Sequence, residues 1–190
     1  MKTLSDTKQQ QVLKIAPHKH RVRYLYEEIE QTDPETEETT TVHRAQEVEV
    51  INPSDAEQVA SAIIRDRYIP EQVEQLLSSF TKGEDVIAFM RYQNWRKLAK
   101  QAAAGAFEKT EFTAILESEI IEVEIPFTET LQGGKYEALA DYALKARVNT
   151  YPDPVHNVVK VYLSYLLPEH RQALEADNEV IITNHKGVEL

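Results

Sequence analysis

Glutamates at alternate positions are the first residues of this sequence whose type and spacing could support catalysis. Glu122 and Glu124 alternate with apolar residues over positions 121–125, so a strand here carries both carboxylates on one face, and Glu117 and Glu119 precede them. General acid–base catalysis needs carboxyl groups whose surroundings push their pKa values apart, and acidic side chains are rarely fully buried. We therefore interpret these glutamates as a charged outer face.

Histidines are the next candidates, because the chain has six of them and no cysteine. His18 and His20 would point to the same face of a strand, a spacing that suits a metal ion. The basic residues among positions 19–23 would repel a cation, however, and His170 with Glu175 lacks a third ligand. We expect no metal site.

Phosphate binding and nucleophilic catalysis have less support. Only five glycines occur, and the segment 131–136, which contains Gly133, Gly134 and Lys135, lacks the spacing of a phosphate-binding loop. No G-x-S-x-G motif is present, and the absence of cysteine excludes disulfides, thiolate catalysis and cysteine-ligated metal centres. We therefore expect no cofactor and no small-molecule ligand, and we interpret the chain as a non-enzyme.

Residues 10–51 are typical of a long β-hairpin arm. A strand over 18–26 and a return strand over 39–51 flank the polar segment 31–38, which contains Pro34 and no glycine. The apolar side chains of the first strand are expected on one face: Val22, Tyr24 and Tyr26. We expect the tip to be exposed to solvent and the arm to be half buried.

Charge is unevenly distributed along this hairpin arm. Positions 27–38 hold seven acidic residues and no basic one, and they follow a basic segment. Such a dipolar arm could dock on a complementary face of a neighbouring molecule, whereas the alternative is a solubilising loop. The predicted contact residues are three cations of the base and three acids of the tip: Lys19, Arg21, Arg23, Glu35, Glu37 and Glu38.

Residues 53–104 are predicted to form three helices with short connections. Ser54 and Glu57 have the spacing of a capping box at the first helix, and Pro70 opens the second. Gly83 suits the end of the second helix, whose apolar stripe comprises Val73, Leu76, Leu77 and Phe80.

The third helix, over residues 84–104, has two apolar features. Residues 86–90 are apolar all round, so we expect this end to lie in the core. Farther along, one seam mixes small and aromatic residues: Ala88, Tyr92, Trp95, Ala99 and Ala102. Basic residues lie beside Tyr92 and Trp95, a combination that could bind nucleic acid. The seam favours a core position for both rings, however, and the net charge of −11 opposes the binding of a polyanion.

Residues 107–190 are predicted to mix helices and strands. We favour a strand over 107–126 because β-branched residues crowd its end, although a helix fits its first half nearly as well. Beyond it the pattern predicts a helix over 136–147, a rigid break over 151–154 and a helix over 155–166 that Pro168 stops or kinks. A short helix over 169–176 and a strand over 180–183 complete the chain.

Three stretches carry a resemblance to known proteins, namely residues 60–70, 84–95 and the Lys- and Ala-rich end at 97–103. On these stretches, residues 52–104 resemble a helical module in small uncharacterised proteins encoded by phages and prophages of Bacteroides-type bacteria. The resemblance implies a phage-type accessory or virion component. It transfers no site residue.

These observations predict an α+β fold, with a projecting N-terminal β-hairpin, a three-helix unit and a mixed C-terminal portion in one shared core of a single domain. The predicted function is structural or assembly-related, through contacts with copies of this chain or with other structural proteins. The alternatives are a regulatory module that docks a partner on the helix around Trp95, which requires partial exposure of that ring, and an enzyme of unknown class. No apolar run approaches the roughly 18 residues of a membrane span and no apolar leader is evident, so we expect a cytoplasmic protein, or a virion protein if the chain is phage-encoded.

Overall fold

The computed structural model describes residues 2–126, 135–137, 139, 150–153 and 158–190. The chain divides into a first unit of Met1–Glu74 and Tyr92–Leu116 and a second unit of Gln75–Arg91 and Glu117–Leu190. Each unit contains one four-stranded antiparallel sheet together with helices. The predicted α+β class is confirmed, whereas the single shared core stays a prediction.

The sheet of the first unit has the strand order β1-β4-β3-β2. Its strands are β1 (Lys2–Ser5), β2 (Val12–Ala16), β3 (Lys19–Thr32) and β4 (Thr39–Val50). The long hairpin predicted from the sequence is therefore present as β3 and β4, and β2 extends it at the basic end. The sequence pattern did not indicate β1, a short strand that pairs with β4.

A bulge in β3 changes which face its aromatic residues occupy. Tyr24 pairs with Gln46 and Glu27 pairs with Arg44, so one extra residue is inserted in β3, and Leu25 has a φ of 55° in the left-handed region. Tyr24 therefore shares a face with Gln46, whereas Tyr26 stacks on His43, three positions away on β4 and thus on the opposite face. The prediction that Val22, Tyr24 and Tyr26 share one face is wrong for Tyr26.

The helices of residues 53–104 have nearly the predicted bounds: α1 (Ala56–Arg67), α2 (Pro70–Thr81) and α3 (Val86–Ala103). The predicted cap is wrong by one residue, because the Asp55 carboxylate accepts the amides of Glu57 and Gln58 at 3.0 and 3.2 Å. Pro70 opens α2 as predicted, and Gly83 follows it with a φ of 80° that favours glycine.

Burial of these helices follows the prediction only in part. The seam of α3 is confirmed at four of its five positions, since Tyr92, Trp95, Ala99 and Ala102 are buried and Ala88 is half-buried. Of the apolar start over 86–90, only Val86 is buried. The apolar stripe of α2 contains no buried residue, and Phe80 stacks on Phe89 with ring centroids 3.9 Å apart.

The segment after α3 is helical where a strand was favoured. Residues Lys109–Phe112 form a 3₁₀ helix, followed by α4 (Thr113–Leu116), and the strand begins only at Glu119. The Glu111 carboxylate accepts the amides of Phe107 and Glu108 at 2.8 Å each, and these bonds hold its pKa below the usual range. This side-chain cap fixes a helical turn that β propensity alone does not predict.

The sheet of the second unit has the strand order β6-β7-β5-β8. Its strands are β5 (Glu119–Pro126), β6 (Thr150–Asp153), β7 (Val158–Leu163) and β8 (Ile181–Lys186). The predicted break over 151–154 and the predicted helix over 155–166 are therefore wrong for their described residues. Valine at 158, 159 and 161 favours a strand, and pairing with β5 fixes that choice.

One face of this second sheet forms a hydrophobic core. The residues of that core are Ile121, Val123, Ile125, Tyr136, Leu139, Val161, Leu163, Leu166 and Leu174. Leu174 belongs to α5 (Pro168–Glu175), which is the predicted short helix. Pro168 is the first residue of this helix and does not stop or kink a preceding one. The predicted helix over 136–147 lies mostly outside the described residues. None of the described helices is long and apolar enough to cross a membrane.

Candidate functional site

The cations at the base of the hairpin are paired with glutamates of the same hairpin. Arg21 lies opposite Glu49 and Arg23 opposite Glu47 across the β3–β4 ladder. Arg23 Nε donates to Glu47 Oε2 at 3.3 Å, Arg21 lies 3.5 and 3.7 Å from Glu47 and Glu49, and Lys19 bonds to Glu49. The bond from Lys19 holds the pKa of Glu49 below its usual range. These cations are therefore largely neutralised within β3 and β4.

Glu27 forms the next charge cluster along β3. Its carboxylate accepts bonds from Arg44 of β4 and from Lys109, whose Nζ lies 2.6 Å away. Burial alone would raise the pKa of Glu27, but the bonds from Lys109 and Arg44 outweigh it and lower that pKa. Glu27 is thus held in its charged form and fixes the segment around Lys109 against the hairpin.

Beyond the pair of Ile29 with Val42, the hairpin is exposed on both faces. All residues from 30 to 41 are exposed, although 30–32 pair with 39–41 in a regular ladder. We call residues 30–41 the acidic tip, because it has no basic residue and five acidic ones: Glu30, Asp33, Glu35, Glu37 and Glu38. The Asp33 carboxylate accepts the amide of Glu35 at 2.8 Å, which orders the turn.

The predicted contact residues thus lie at opposite ends of the hairpin. Glu35, Glu37 and Glu38 are exposed at the acidic tip, as the sequence suggested. Lys19, Arg21 and Arg23 are at the base, where Glu47 and Glu49 already bind them. The sequence reasoning did not include these two glutamates, although their alternate spacing in a strand rich in valine is visible in the sequence.

Trp95 lies in the core of the first unit. Its ring is 2 % exposed, its Nε1 donates to the carbonyl of Ile63 at 3.2 Å, and Tyr24 packs edge-on at 6.4 Å between centroids. The Arg67 guanidinium covers the ring at 4.6 Å. The partial exposure that docking on Trp95 requires is therefore not met, and the preference for a core role over nucleic-acid stacking is confirmed for Tyr92 and Trp95.

The polar face of the second sheet carries a cluster that the sequence did not indicate. Glu122 Oε1 accepts from Lys160 Nζ at 3.2 Å and from Tyr162 OH at 3.3 Å, and Oε2 accepts from His185 Nε2 at 2.9 Å. Lys160 also bonds to Glu124 at 2.8 Å. Glu122 is only 9 % exposed, so its assignment to a charged outer face is wrong, whereas Glu117 and Glu119 are exposed as predicted.

This cluster neutralises its own charges. The bond to Glu124 raises the pKa of Lys160, and burial, with the charge of Glu122, raises the pKa of Tyr162 to about 12. Both side chains therefore keep their protons at neutral pH and cannot act as a base or nucleophile there. The contact between His185 Nε2 and Glu122 Oε2 orients the His185 ring. The arrangement stabilises the pairing of β5 with β7 and β8.

The other chemical candidates do not assemble into sites among the described residues, which leave out Gly133 and Gly134. His18 lies in the turn before β3, and His20 Nδ1 is 3.3 Å from the carbonyl of Ile51. No group of three or more potential acidic or histidine metal ligands occurs among the described residues. Lys135, beside the glycine pair, bonds to Asp177 at 2.5 Å and to Glu179 at 3.3 Å, so its charge is already matched by carboxylates.

An open groove of about 420 Å³ lies between the end of β4 and α1. Two of the carboxylates that line it are already occupied, because Glu49 binds Lys19 and Asp55 caps α1. The other polar side chains that line the groove are Glu57, Gln58, Ser61 and Arg65.

No family model, no curated protein and no solved structure matches this chain.

Proposed function

We propose that this protein acts in assembly, without catalysis, by docking the acidic tip of its hairpin onto a basic surface of a partner protein. The observation that carries the proposal is the exposure of residues 30–41 on both faces of an ordered two-stranded ladder. A ladder that contributes nothing to a core at its end is stabilised only by hydrogen bonds within the hairpin, including the one between the Thr32 and Thr39 hydroxyls at 3.0 Å, and a bound partner would add contacts.

The charge pattern favours a different protein over a second copy of this chain. The cations of the hairpin base are bound by Glu47 and Glu49, so docking a neighbouring tip there would have to displace those pairs. Two acidic tips would also repel each other, and the chain carries −11 overall. A partner that brings its own lysines or arginines meets neither obstacle, and complementary charge accelerates its association. A virion or accessory role would rest on the phage-type resemblance of residues 52–104 alone.

Charge removal at the tip tests the proposal. The triple variant Glu35→Gln/Glu37→Gln/Glu38→Gln is compared with Glu57→Gln/Glu71→Gln/Glu74→Gln, which removes the same charge from exposed positions of α1 and α2. The probe is a peptide of alternating lysine and threonine, and binding is measured by calorimetry at low and high salt. We expect the tip variant to lose most of the binding and the helix variant to retain it. High salt should weaken binding of the peptide to the wild type and to the helix variant, because it screens the charges.

Two results would overturn this proposal. Equal binding of the peptide by the two variants would show that the peptide senses net charge and not the tip. A wild-type oligomer in light scattering that dissociates in the tip variant would show instead that the tip docks onto another copy of this chain.

A further inference from the structure

The outer edge of β3, on the side away from β4, is only partly paired. β2 covers this edge as far as Val22, and the Arg23 amide donates to the carbonyl of Gln11 at 2.7 Å. After the bulge, the Tyr26 amide donates to the carbonyl of Phe107 at 2.9 Å, and Tyr26 forms a parallel bridge with Glu108. The chain then enters the 3₁₀ helix, whose Lys109 binds Glu27, and no described residue pairs its backbone with this edge beyond Tyr26.

Three residues at this open edge point their backbone amides and carbonyls away from β4. The Asp33 amide donates to the carbonyl of Glu38 at 2.9 Å, so Asp33 faces β4, and every second residue before it does the same. The residues between them, Glu28, Glu30 and Thr32, therefore point their amides and carbonyls away from β4. The outward bond of Tyr26 agrees with this alternation. The open edge from Glu28 to Thr32 spans about 13 Å.

The side chains beside these backbone groups define the charge of a strand that could pair there. Glu28 and Glu30 lie on the same face of the sheet, opposite His43 and Thr41 on β4. The Glu28 carboxylate accepts from Tyr26 OH at 3.0 Å yet is 54 % exposed. An added strand would place alternate side chains about 5 Å from these two glutamates.

We propose that the outer edge of β3 from Glu28 to Thr32 is a strand-addition site for an extended basic segment of a partner, with lysine or arginine at the two alternate positions that face Glu28 and Glu30. This inference rests on the proposed function and specifies how the acidic tip docks. The two glutamates disfavour edge-to-edge pairing of two copies of this chain, because like charges would face each other across the new ladder. A basic segment turns the same two positions into favourable cross-strand pairs.

Amide hydrogen exchange of the full chain gives the decisive test, again with the peptide of alternating lysine and threonine. We expect the peptide to slow exchange at the amides of Glu28, Glu30 and Thr32, and to leave Ile29 and Gln31 nearly unchanged because those amides already bond to β4. The double variant Glu28→Gln/Glu30→Gln should bind about threefold to tenfold more weakly, whereas Glu57→Gln/Glu71→Gln should bind as the wild type does.

Two N-methylated peptides separate this inference from the proposed function. Methylation of the amides that face β3 should abolish the slowed exchange and weaken binding, and methylation of the alternate amides should not. If both peptides bind equally and no alternating protection appears, the tip docks through charge alone, so the strand-addition inference is overturned and the proposed function stands. If the unmodified peptide does not bind the wild-type protein at all, both the strand-addition inference and the proposed function are overturned.

Discussion

Two tyrosines on either side of one bulge have opposite hydrogen-bonding environments. Tyr24 is fully buried, and its hydroxyl has no partner among the described residues. Burial and the nearby charge of Asp66 raise its pKa. The Tyr26 hydroxyl donates to Glu28 and lies 2.6 Å from His43 Nδ1. The inserted residue, Leu25, places one ring against Trp95 and the other against polar groups.

This contrast predicts opposite effects of removing the two hydroxyl groups. Tyr24→Phe should leave the free energy of unfolding unchanged or raise it by up to about 1 kcal/mol, because an unpaired buried hydroxyl is costly. Tyr26→Phe should lower it by about 1 kcal/mol, because two polar partners lose their hydrogen bonds. Urea denaturation of both variants measures the difference. A loss of stability in Tyr24→Phe as large as that in Tyr26→Phe would contradict the assigned environments.

The start of α1 allows a similarly direct test of a helix boundary. The Asp55 carboxylate accepts two amides, whereas Ser54 donates its own amide to Asn52 and caps nothing that the structure describes. Asp55→Ala should therefore cost about 1 kcal/mol of stability, and Ser54→Ala should be nearly neutral. Thermal unfolding of the two variants distinguishes them. A larger cost for Ser54→Ala would restore the capping box that the sequence suggested.

Patterns within one segment predicted more of the fold than patterns that depend on pairing between segments. The hairpin, the three helices and the final helix and strand follow from periodicity, proline and glycine. The strand β7 did not, because Val158, Val159 and Tyr162 satisfy helical spacing, and only pairing with β5 determines their conformation. The bulge at Leu25 was also invisible, since no glycine marks it.

The same limit applies to the candidate sites. The exposed acids of the tip could be predicted, because seven acids without a base are a local property of positions 27–38. The pairing of Arg21 and Arg23 with Glu47 and Glu49, and the convergence of Lys160, Tyr162 and His185 on Glu122, both depend on strand register. Register is set by the complete sheet and cannot be read from any one strand.

At the scale of the whole chain, the property to predict is whether the two units unfold together. The chain passes from one unit to the other at three points, within α2, within α3 and after Leu116. The helix α3, Val86–Ala103, therefore has its first residues in the second unit and the rest in the first. Helix formation is cooperative along the chain, so we expect loss of helix in the part of α3 that belongs to one unit to lower the stability of the part that belongs to the other. We therefore expect one cooperative transition, in agreement with the single domain that the sequence predicts.

Matched core substitutions test this cooperativity, because Trp95 is the only tryptophan and lies in the first unit. Ile63 and Ile125 are both fully buried, in the first and second units respectively. Each Ile→Val substitution should lower stability by about 0.5–1.5 kcal/mol. If the units unfold together, Ile125→Val shifts the urea midpoint of Trp95 fluorescence as much as that of circular dichroism, and Ile63→Val does the same. A fluorescence midpoint that Ile125→Val leaves unchanged while the dichroism midpoint falls would establish two independent domains.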